Sequence, residues 1–301
     1  MNRVLVYLTF LMFLSACGGG VKEPLPALEK EALDLHLRGV RQQQQGEHHA
    51  ARDNLLQAYR LFAAIEHRPG SSATLLNLAA LDRLGQQFDS ARLLLSQVEI
   101  LSVDEHRGQL AYERSLLALA NNNLDEAEGQ ALKAIKADKS LGGVSRNLLS
   151  RIHFLKRNYE QATEQLDKAL SALSQNNLKE RANAYRLRGK IELLGENLEK
   201  ATIVLSEALR LDRKLNRPDK IALDLRLLAS VHQASGDWQK ELTYLRRLFA
   251  VEVNSGQQGK GQLTLEKIAI RLDEHGFSLL ANQLRKDEET YVKMGAVPVQ
   301  W

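Results

Sequence analysis

Cysteine and histidine are the residues of this chain whose types allow covalent or metal chemistry, but their spacing supports little of either. Cys17 is the only cysteine, so no CxxC motif and no intrachain disulfide is possible. His48 and His49 are adjacent, and adjacent side chains on a helix point about 100° apart, which makes a shared metal difficult. The glycine-rich stretch GQQGKG at 256–261 lacks the GxxxxGK[ST] spacing of a phosphate-binding loop. We therefore predict no catalytic residues, no metal site, no cofactor and no enzyme activity.

The position of Cys17 gives this cysteine a different meaning. Arg3 supplies a positive charge near the N-terminus, and the stretch 4–14 that follows is almost wholly apolar. This stretch is shorter than the roughly 20 residues that a membrane-spanning helix needs. It has the length of the apolar region of a signal peptide, and the small residues Ser15 and Ala16 follow it.

The sequence Leu14-Ser15-Ala16-Cys17 resembles a bacterial lipobox. The resemblance implies cleavage before Cys17, lipidation of Cys17, and a flexible tether that begins with three glycines. By the same resemblance, the lack of Asp after Cys17 implies a lipid anchor in the outer membrane of the cell envelope, with the protein facing the periplasm. The alternative is an ordinary signal peptide that contains a cysteine. We assign residues 1–16 to the signal peptide and 17–28 to the lipidated cysteine and linker.

The composition indicates an all-helical protein with only a small net charge. Aromatic residues make up 5% of the 301 residues, there are only five prolines, and leucine and alanine dominate. The net charge of +4 is small for this length, so we predict no nucleic-acid partner.

An internal repeat organises most of the chain. Six stretches align, at 46–58, 86–98, 122–134, 157–169, 196–208 and 236–248. They share one small position, which is occupied by Ala51, Ala91, Ala127, Ala162 and Ala201, with Glu241 as the exception. Twelve residues earlier the chain again has a small residue in every case, namely Gly39, Ala79, Ser115, Ser150, Gly189 and Ala229. Two helices that cross closely need small residues where their backbones approach, so the pattern predicts helical hairpins.

This pattern resembles the tetratricopeptide repeat (TPR). The resemblance predicts an all-α, right-handed TPR-type α-solenoid of about seven helix-turn-helix hairpins over residues 29–294, hence fourteen helices. The repeats are mostly longer than the usual 34 residues, as in signalling adaptors and peptide-sensing regulators. The seventh hairpin is degenerate, with Phe277 at the aromatic position and Leu280 at the small one. We expect the tail 295–301 to be loosely packed, with a short docking strand as the alternative.

Four ring residues recur three residues before the small position: His48, Phe88, Tyr159 and Trp238. They could be mistaken for a row on which a ligand stacks. We interpret them instead as core residues that close each hairpin.

Resemblance to TPR proteins also implies where a partner binds. In those families the first helices line a concave groove, which is faced by the positions three before and one after the small residue of that helix. In the first three repeats these are His36, Val40, Leu76, Ala80, Tyr112 and Leu116, and in the next three repeats they are Asn147, Arg151, Arg186, Lys190, Arg226 and Ser230. The candidate partner-binding residues are Tyr112, Asn147, Arg151, Arg186, Lys190 and Arg226. The hypothesis is a peptide or helix with an apolar and an acidic part. The alternative is that these charges are merely solvated.

Two functions follow from the lipobox and the repeats together. The first is a scaffold or adaptor that holds another envelope protein or peptide in its groove, for example in pilus or secretion-channel assembly or in tethering a cell-wall enzyme. The second is a periplasmic sensor or regulator that binds a peptide or small ligand. The sequence does not identify the partner.

Overall fold

A computed structural model describes residues 25–297, and the fold over this range is entirely helical, as predicted. The signal peptide and Cys17 lie outside the described residues. Two short 3-10 turns, Asp104–His106 and Lys139–Leu141, accompany the α-helices. The helices are α1 (Ala27–Gln45), α2 (His48–Ala64), α3 (Arg68–Leu84), α4 (Phe88–Leu101), α5 (Arg107–Ala120), α6 (Leu124–Ala137), α7 (Gly142–Leu155), α8 (Tyr159–Ala172), α9 (Leu178–Leu194), α10 (Leu198–Lys214), α11 (Pro218–Ala234), α12 (Trp238–Asn254), α13 (Gln258–Glu274), α14 (Ser278–Lys286) and α15 (Glu288–Met294).

The helices follow one another as the predicted hairpins. Hairpins one to seven are α1/α2, α3/α4, α5/α6, α7/α8, α9/α10, α11/α12 and α13/α14. The chain divides into two compact units between Leu81 and Asp82, within α3. The candidate groove residues from Tyr112 onward all belong to the second unit.

The recurring small residues mark the crossing point of the two helices in a hairpin. In hairpin three the Ser115 hydroxyl donates a hydrogen bond of 2.7 Å to the carbonyl of Ala127, twelve residues later. In hairpins one and five, a Cβ atom on Gly39 or Gly189 would overlap the side chain of a leucine on the second helix. Side-chain bulk at these positions would push the helices apart, which explains the sequence pattern.

Short turns with one residue of positive φ separate the helices. This position is held by Asn122, Arg157 and Glu196 in hairpins three to five, and by glycine in hairpins six and seven. The side chains of Asn123 and Asp237 then accept hydrogen bonds from backbone N–H groups in the first turn of α6 and α12. These contacts satisfy backbone donors that a helix start would otherwise leave unpaired.

The ring residues at the start of the second helices are less buried than we expected. Tyr159 and His48 are exposed, and Phe88 and Trp238 are only partly buried. Trp238 stacks on His275 with ring centroids 4.4 Å apart. The interpretation as core residues is therefore wrong in part, because these rings cover the turn edge of a hairpin and do not fill its centre.

The seventh hairpin departs from its predicted register and length. Its fully buried small residue is Ala281, not Leu280, so the alignment was off by one position. The second helix also breaks at Asp287, which yields α14 and α15 in place of one helix. The fifteenth helix is therefore an addition to the fourteen that the repeat predicted.

The start of the C-terminal tail is packed rather than loose. The helical pattern ends at Met294, as predicted, with Gly295 in the left-handed conformation. The Asn254 amide donates a hydrogen bond of 2.9 Å to the carbonyl of Gly295, and Val297 is buried in the core beside α12 and α13. The expectation of loose packing is wrong for residues 295–297, and the remaining four residues lie outside the described range.

The second unit has its apolar core between consecutive hairpins. A cluster of buried residues runs from α10 to α14 and includes Leu205, Leu228, Leu245, Phe249 and Ile268. No helix within residues 25–297 is long and apolar enough to cross a membrane.

Candidate functional site: a groove on the first helices

An open groove of about 700 Å³ crosses the first helices of the second unit. Its walls come from the end of α3, from α5, α7 and α9, and from the region around the start of α11. Five of the six predicted partner-binding residues line it: Tyr112, Asn147, Arg151, Arg186 and Lys190. Arg226 is not among the lining residues. That these residues bind a partner stays a prediction.

Arg186 is a buried structural cation. Its Nε donates to Asp224 on α11 at 2.6 Å, and its guanidinium also pairs with Asp212 on α10. Both aspartates are fully buried, and Arg217 lies 3.0 Å from Asp212 on the other side. Arg186 therefore joins two hairpins, and its charge is already neutralised by carboxylates of its own chain.

Asn147 and Arg226 are also engaged within the protein. The Asn147 amide donates to the Glu180 carboxylate at 2.8 Å and to the Glu180 carbonyl at 3.1 Å, which ties α7 to α9. Arg226 pairs with the buried Glu252 on α12. In these hairpins the residue three before the small position is used to hold helices together.

The two predicted groove positions of each first helix, three before and one after its small residue, point in slightly different directions. Four residues separate them, and at about 100° per residue they point about 40° apart around the helix. In α7 and α9, the earlier position contacts the next first helix, whereas the later position faces the groove. The prediction grouped them because four residues is close to one helical turn.

Arg151 and Lys190 occupy the later position, and they keep their charges unpaired. Within residues 25–297, neither side chain lies at ion-pair distance from a carboxylate. Burial, together with the nearby positive charges of Arg186 and Arg151, holds the pKa of Lys190 below the usual lysine value. Arg151 and Lys190 thus lie near each other in the groove with no carboxylate of the described chain at ion-pair distance, although the more distant Asp224 acts on Lys190 in the opposite direction.

Three further cations, which the sequence prediction missed, also line the groove: Lys179, Arg217 and Lys220. Lys220 is 2.9 Å from Asp219, so its charge is partly compensated. Of the lining residues, only Glu180 is acidic, and Asn147 already bonds to it. Lys220 lies nine residues before Ala229, outside the two positions per repeat that the prediction considered.

The other wall of the groove is apolar. Leu116, Leu148 and Leu155 line it together with Tyr112 and Leu84, and the two leucines Leu84 and Leu155 are 54% and 47% exposed. Burial and the negative charge of Glu180 raise the pKa of Tyr112, so this side chain stays neutral. The groove therefore offers an apolar surface beside a cationic one.

Two apolar groove positions of the second repeat do not form an open surface. Leu76 and Ala80 are buried, so they face protein. His36 Nδ1 and the Thr74 hydroxyl are 2.9 Å apart, which joins α1 to α3. The apolar part of the groove comes instead from residues of the second unit.

No group of three or more metal-ligating side chains occurs among residues 25–297. The glycine-rich stretch 256–261 crosses the turn into α13, with Gly256 at positive φ and Gly261 packed against Val253. Its glycines serve the turn and the close approach of two helices.

The chain matches no protein-family model and no curated protein sequence. It is similar in structure to a STAND signal-transduction ATPase with a tetratricopeptide repeat sensor from Pyrococcus horikoshii, at a TM-score of 0.60 and 16% identity over 84% of this chain and 41% of that one. The fold is of the tetratricopeptide type.

Two further solved structures share this hairpin fold. A Rap protein, solved in complex with Competence and Sporulation Factor, has a TM-score of 0.59 and 12% identity over 88% of this chain and 77% of that one. The apo form of the quorum sensor NprR from B. thuringiensis has a TM-score of 0.55 and 11% identity over 94% and 93%. Identities this low support similarity of fold alone.

Proposed function

We propose that this protein is an adaptor of the cell envelope, anchored to the outer membrane through Cys17, whose groove holds a segment of another envelope protein. The observation that carries the proposal is the groove itself, where unpaired Arg151 and Lys190 lie beside exposed leucines. Helical-hairpin repeats of this type bind peptides or proteins along such a surface. Pilus or secretion-channel assembly and the tethering of a cell-wall enzyme are examples of the process served.

The chemistry of the groove specifies the chemistry of the bound segment. A carboxylate of the segment would supply the counter-ion that Arg151 and Lys190 lack, and charge-assisted hydrogen bonds of this kind are about twice as strong as neutral ones. A large apolar side chain of the segment would remove Leu84 and Leu155 from water, at roughly 25 cal/mol per Å² buried. The segment therefore carries an acidic residue close to an apolar one.

The test of the groove is a crosslinking pull-down from native envelopes with the full-length protein. We expect wild type to capture one envelope protein and Arg151→Glu/Lys190→Glu to lose it. Arg186→Glu is unsuitable, because it would place a third carboxylate beside Asp212 and Asp224 and disturb the fold. The matched control is Lys133→Glu/Lys200→Glu, which makes the same charge change at exposed lysines of second helices.

Each outcome of this pull-down is informative. Equal capture by wild type and the groove variant would contradict binding through the groove. Loss of capture in the control variant as well would indicate a general effect of net charge and would also count against the groove.

The anchor is proposed from the lipobox resemblance and needs its own test. Cys17→Ser removes the thiol that would carry the lipid, and several acyl chains hold a protein on a membrane far better than one. We expect wild type to sediment with outer membranes and to incorporate labelled palmitate, and the variant to do neither. Unchanged sedimentation of Cys17→Ser would contradict the anchor and leave the groove proposal in place.

The second candidate function is a peptide-binding sensor or regulator. The observation in its favour is the similarity in fold to the Rap protein, solved with Competence and Sporulation Factor, and to the quorum sensor NprR. A thermal shift with short peptides or muropeptides, combined with no captured protein, would favour the sensor over the adaptor.

A further inference from the structure

An exposed apolar patch on α13 lies beyond the cationic centre of the groove. It consists of Leu263 and Ile270, which are 74% and 45% exposed. Isolated exposed leucines are common on protein surfaces. These two residues are seven positions apart, so they share one face of α13 and form a single surface.

The register of the hairpin assigns this face to the groove side. The small residue of α13 is Ala269, twelve before Ala281, and both are buried. Leu263 and Ile270 therefore lie six before and one after the small residue. In α7 the same two positions, counted from Ser150, are Val144 and Arg151, which both line the groove.

The helix between these regions continues the same surface. Leu223 of α11 stands six before its small residue Ala229 and lines the groove. Leu227 and Ser230 follow on the same face and are only partly buried. On α13 itself, Lys267 lies between the two apolar residues, and its amine is 3.5 Å from the buried Glu241.

Along the first helices of the second unit, the surface is thus apolar around Leu155, cationic around Arg151 and Lys190, and apolar again at the α13 patch. We propose that one partner segment covers all three regions and carries a large apolar residue, then an acidic residue, then a second large apolar residue. This inference rests on the proposed function, because it names the chemistry and extent of the segment that the groove binds.

The geometry also sets the length of the segment. Neighbouring packed helices lie about 8–10 Å apart, and three such steps separate α7 from α13. An extended chain covers about 3.3 Å per residue, so roughly seven to nine residues join the two apolar ends. A segment with a single apolar end would leave the α13 patch uncovered.

The test selects binders from a library of displayed random peptides of about fifteen residues, long enough for the expected span. The target is the full-length chain in mild detergent. We expect enrichment of peptides with acidic residues between two large apolar ones. One enriched peptide is then measured against wild type, Leu263→Lys, Leu155→Lys and the control Leu279→Lys.

The control isolates the position on the groove side. Leu279 is 89% exposed and lies on the second helix α14, so Leu279→Lys makes the same chemical change outside the groove face. We expect Leu263→Lys to weaken binding about tenfold or more, as loss of one well-buried leucine would. Leu279→Lys should change it less than twofold, and all variants should keep the unfolding midpoint of wild type.

The other outcomes separate this inference from the proposed function. If Leu155→Lys abolishes binding and Leu263→Lys does not, the α13 patch is not part of the site, although the groove is. If Leu263→Lys changes the mass in solution but not peptide affinity, the patch contacts a second copy of the chain. Each of these results would overturn the three-part segment. A library without enriched peptides would count against the groove proposal as well.

Discussion

Arg186 and Lys190 stand four residues apart on α9 and illustrate two uses of a cation. Arg186 is buried against Asp212 and Asp224 of the neighbouring helices and holds hairpins together. Lys190 is half-buried in the groove and has no carboxylate partner within the described chain. Both looked alike in the sequence. The difference shows that a rotation of about 40° around the helix decides whether a positive charge serves the fold or faces a ligand.

A second comparison supports the same conclusion. Lys156, at the end of α7, contacts Asp125 and Glu128 at 2.5 and 2.6 Å, and hydrogen bonds from its amine to these carboxylates raise its pKa. The pKa of Lys190 is instead lowered, by burial and by neighbouring cations. Two carboxylates lie at ion-pair distance from Lys156 outside the groove, whereas no carboxylate of residues 25–297 lies that close to Lys190 within it.

The largest effect should come from Arg186→Ala. This substitution leaves Asp212 and Asp224 buried with one partner fewer, and breaking a buried ion pair typically costs about 3–5 kcal/mol. Urea unfolding of wild type and variant measures the loss. A cost below about 1 kcal/mol would show that Arg186 is not structural and would remove the contrast with Lys190.

The next largest effect is a pH dependence of the free energy of unfolding that is caused by Asp224. Burial raises the pKa of Asp224 to about 6, although Arg186 acts in the opposite direction. The unfolded value is near 3.9, so the folded state binds the proton more tightly and gains stability as pH falls through about 6. From about pH 7 to 4.5 we expect the free energy of unfolding to rise by about 2 kcal/mol more in wild type than in Asp224→Asn.

Unfolding at several pH values checks this prediction. Because other carboxylates also titrate, the difference between the two proteins is the quantity to compare. Parallel curves would contradict a raised pKa at Asp224.

A smaller effect is expected at Glu241, the residue that breaks the alanine pattern of the repeat. Its carboxylate is buried and accepts from Arg271 on α13 at 2.9 Å. Glu241→Ala would remove this link between hairpins six and seven at a cost of about 1–3 kcal/mol. Arg271 would keep its other partner, Glu274. A more stable variant would indicate that the glutamate is kept for a reason other than stability.

The smallest effect on stability belongs to the groove cations. Lys190→Ala and Arg151→Ala break no ion pair within the described chain, so each should change the free energy of unfolding by less than about 0.5 kcal/mol. The same variants should weaken capture of an acidic segment, increasingly so at low salt, where exposed charges are least screened. Marked destabilisation by Lys190→Ala would place it in the same class as Arg186.

The sequence was sufficient for the fold. Small residues at fixed spacing, such as Ser115 and Ala127, predicted the hairpins and their crossing points, because close helix packing depends on side-chain size. It also indicated the groove, since Tyr112, Arg151 and Lys190 line one surface. Local periodicity carries this information over most of the chain, whereas in the seventh hairpin the second helix breaks at Asp287.

Pairing between distant residues was not predictable. Nothing local marks Asp224 as the partner of Arg186, because the pair joins residues 38 positions apart. The register of the seventh hairpin was also missed, since Leu280 and Ala281 are adjacent and only burial distinguishes them. Long-range ion pairs and a one-residue register shift both depend on packing that the sequence pattern does not encode.

Lys190 lies beside other cations in the groove and has no carboxylate of the described chain at ion-pair distance. The most direct measurement is the pH titration of the lysine amines by NMR after reductive methylation with ¹³C, with Lys190→Arg and Lys156→Arg used to assign the two signals. The account predicts that Lys190 titrates at a lower pH than Lys156, and that its pKa rises when an acidic peptide is added. A Lys190 signal that titrates with or above Lys156 would show that the amine already has a carboxylate partner, and would contradict the account.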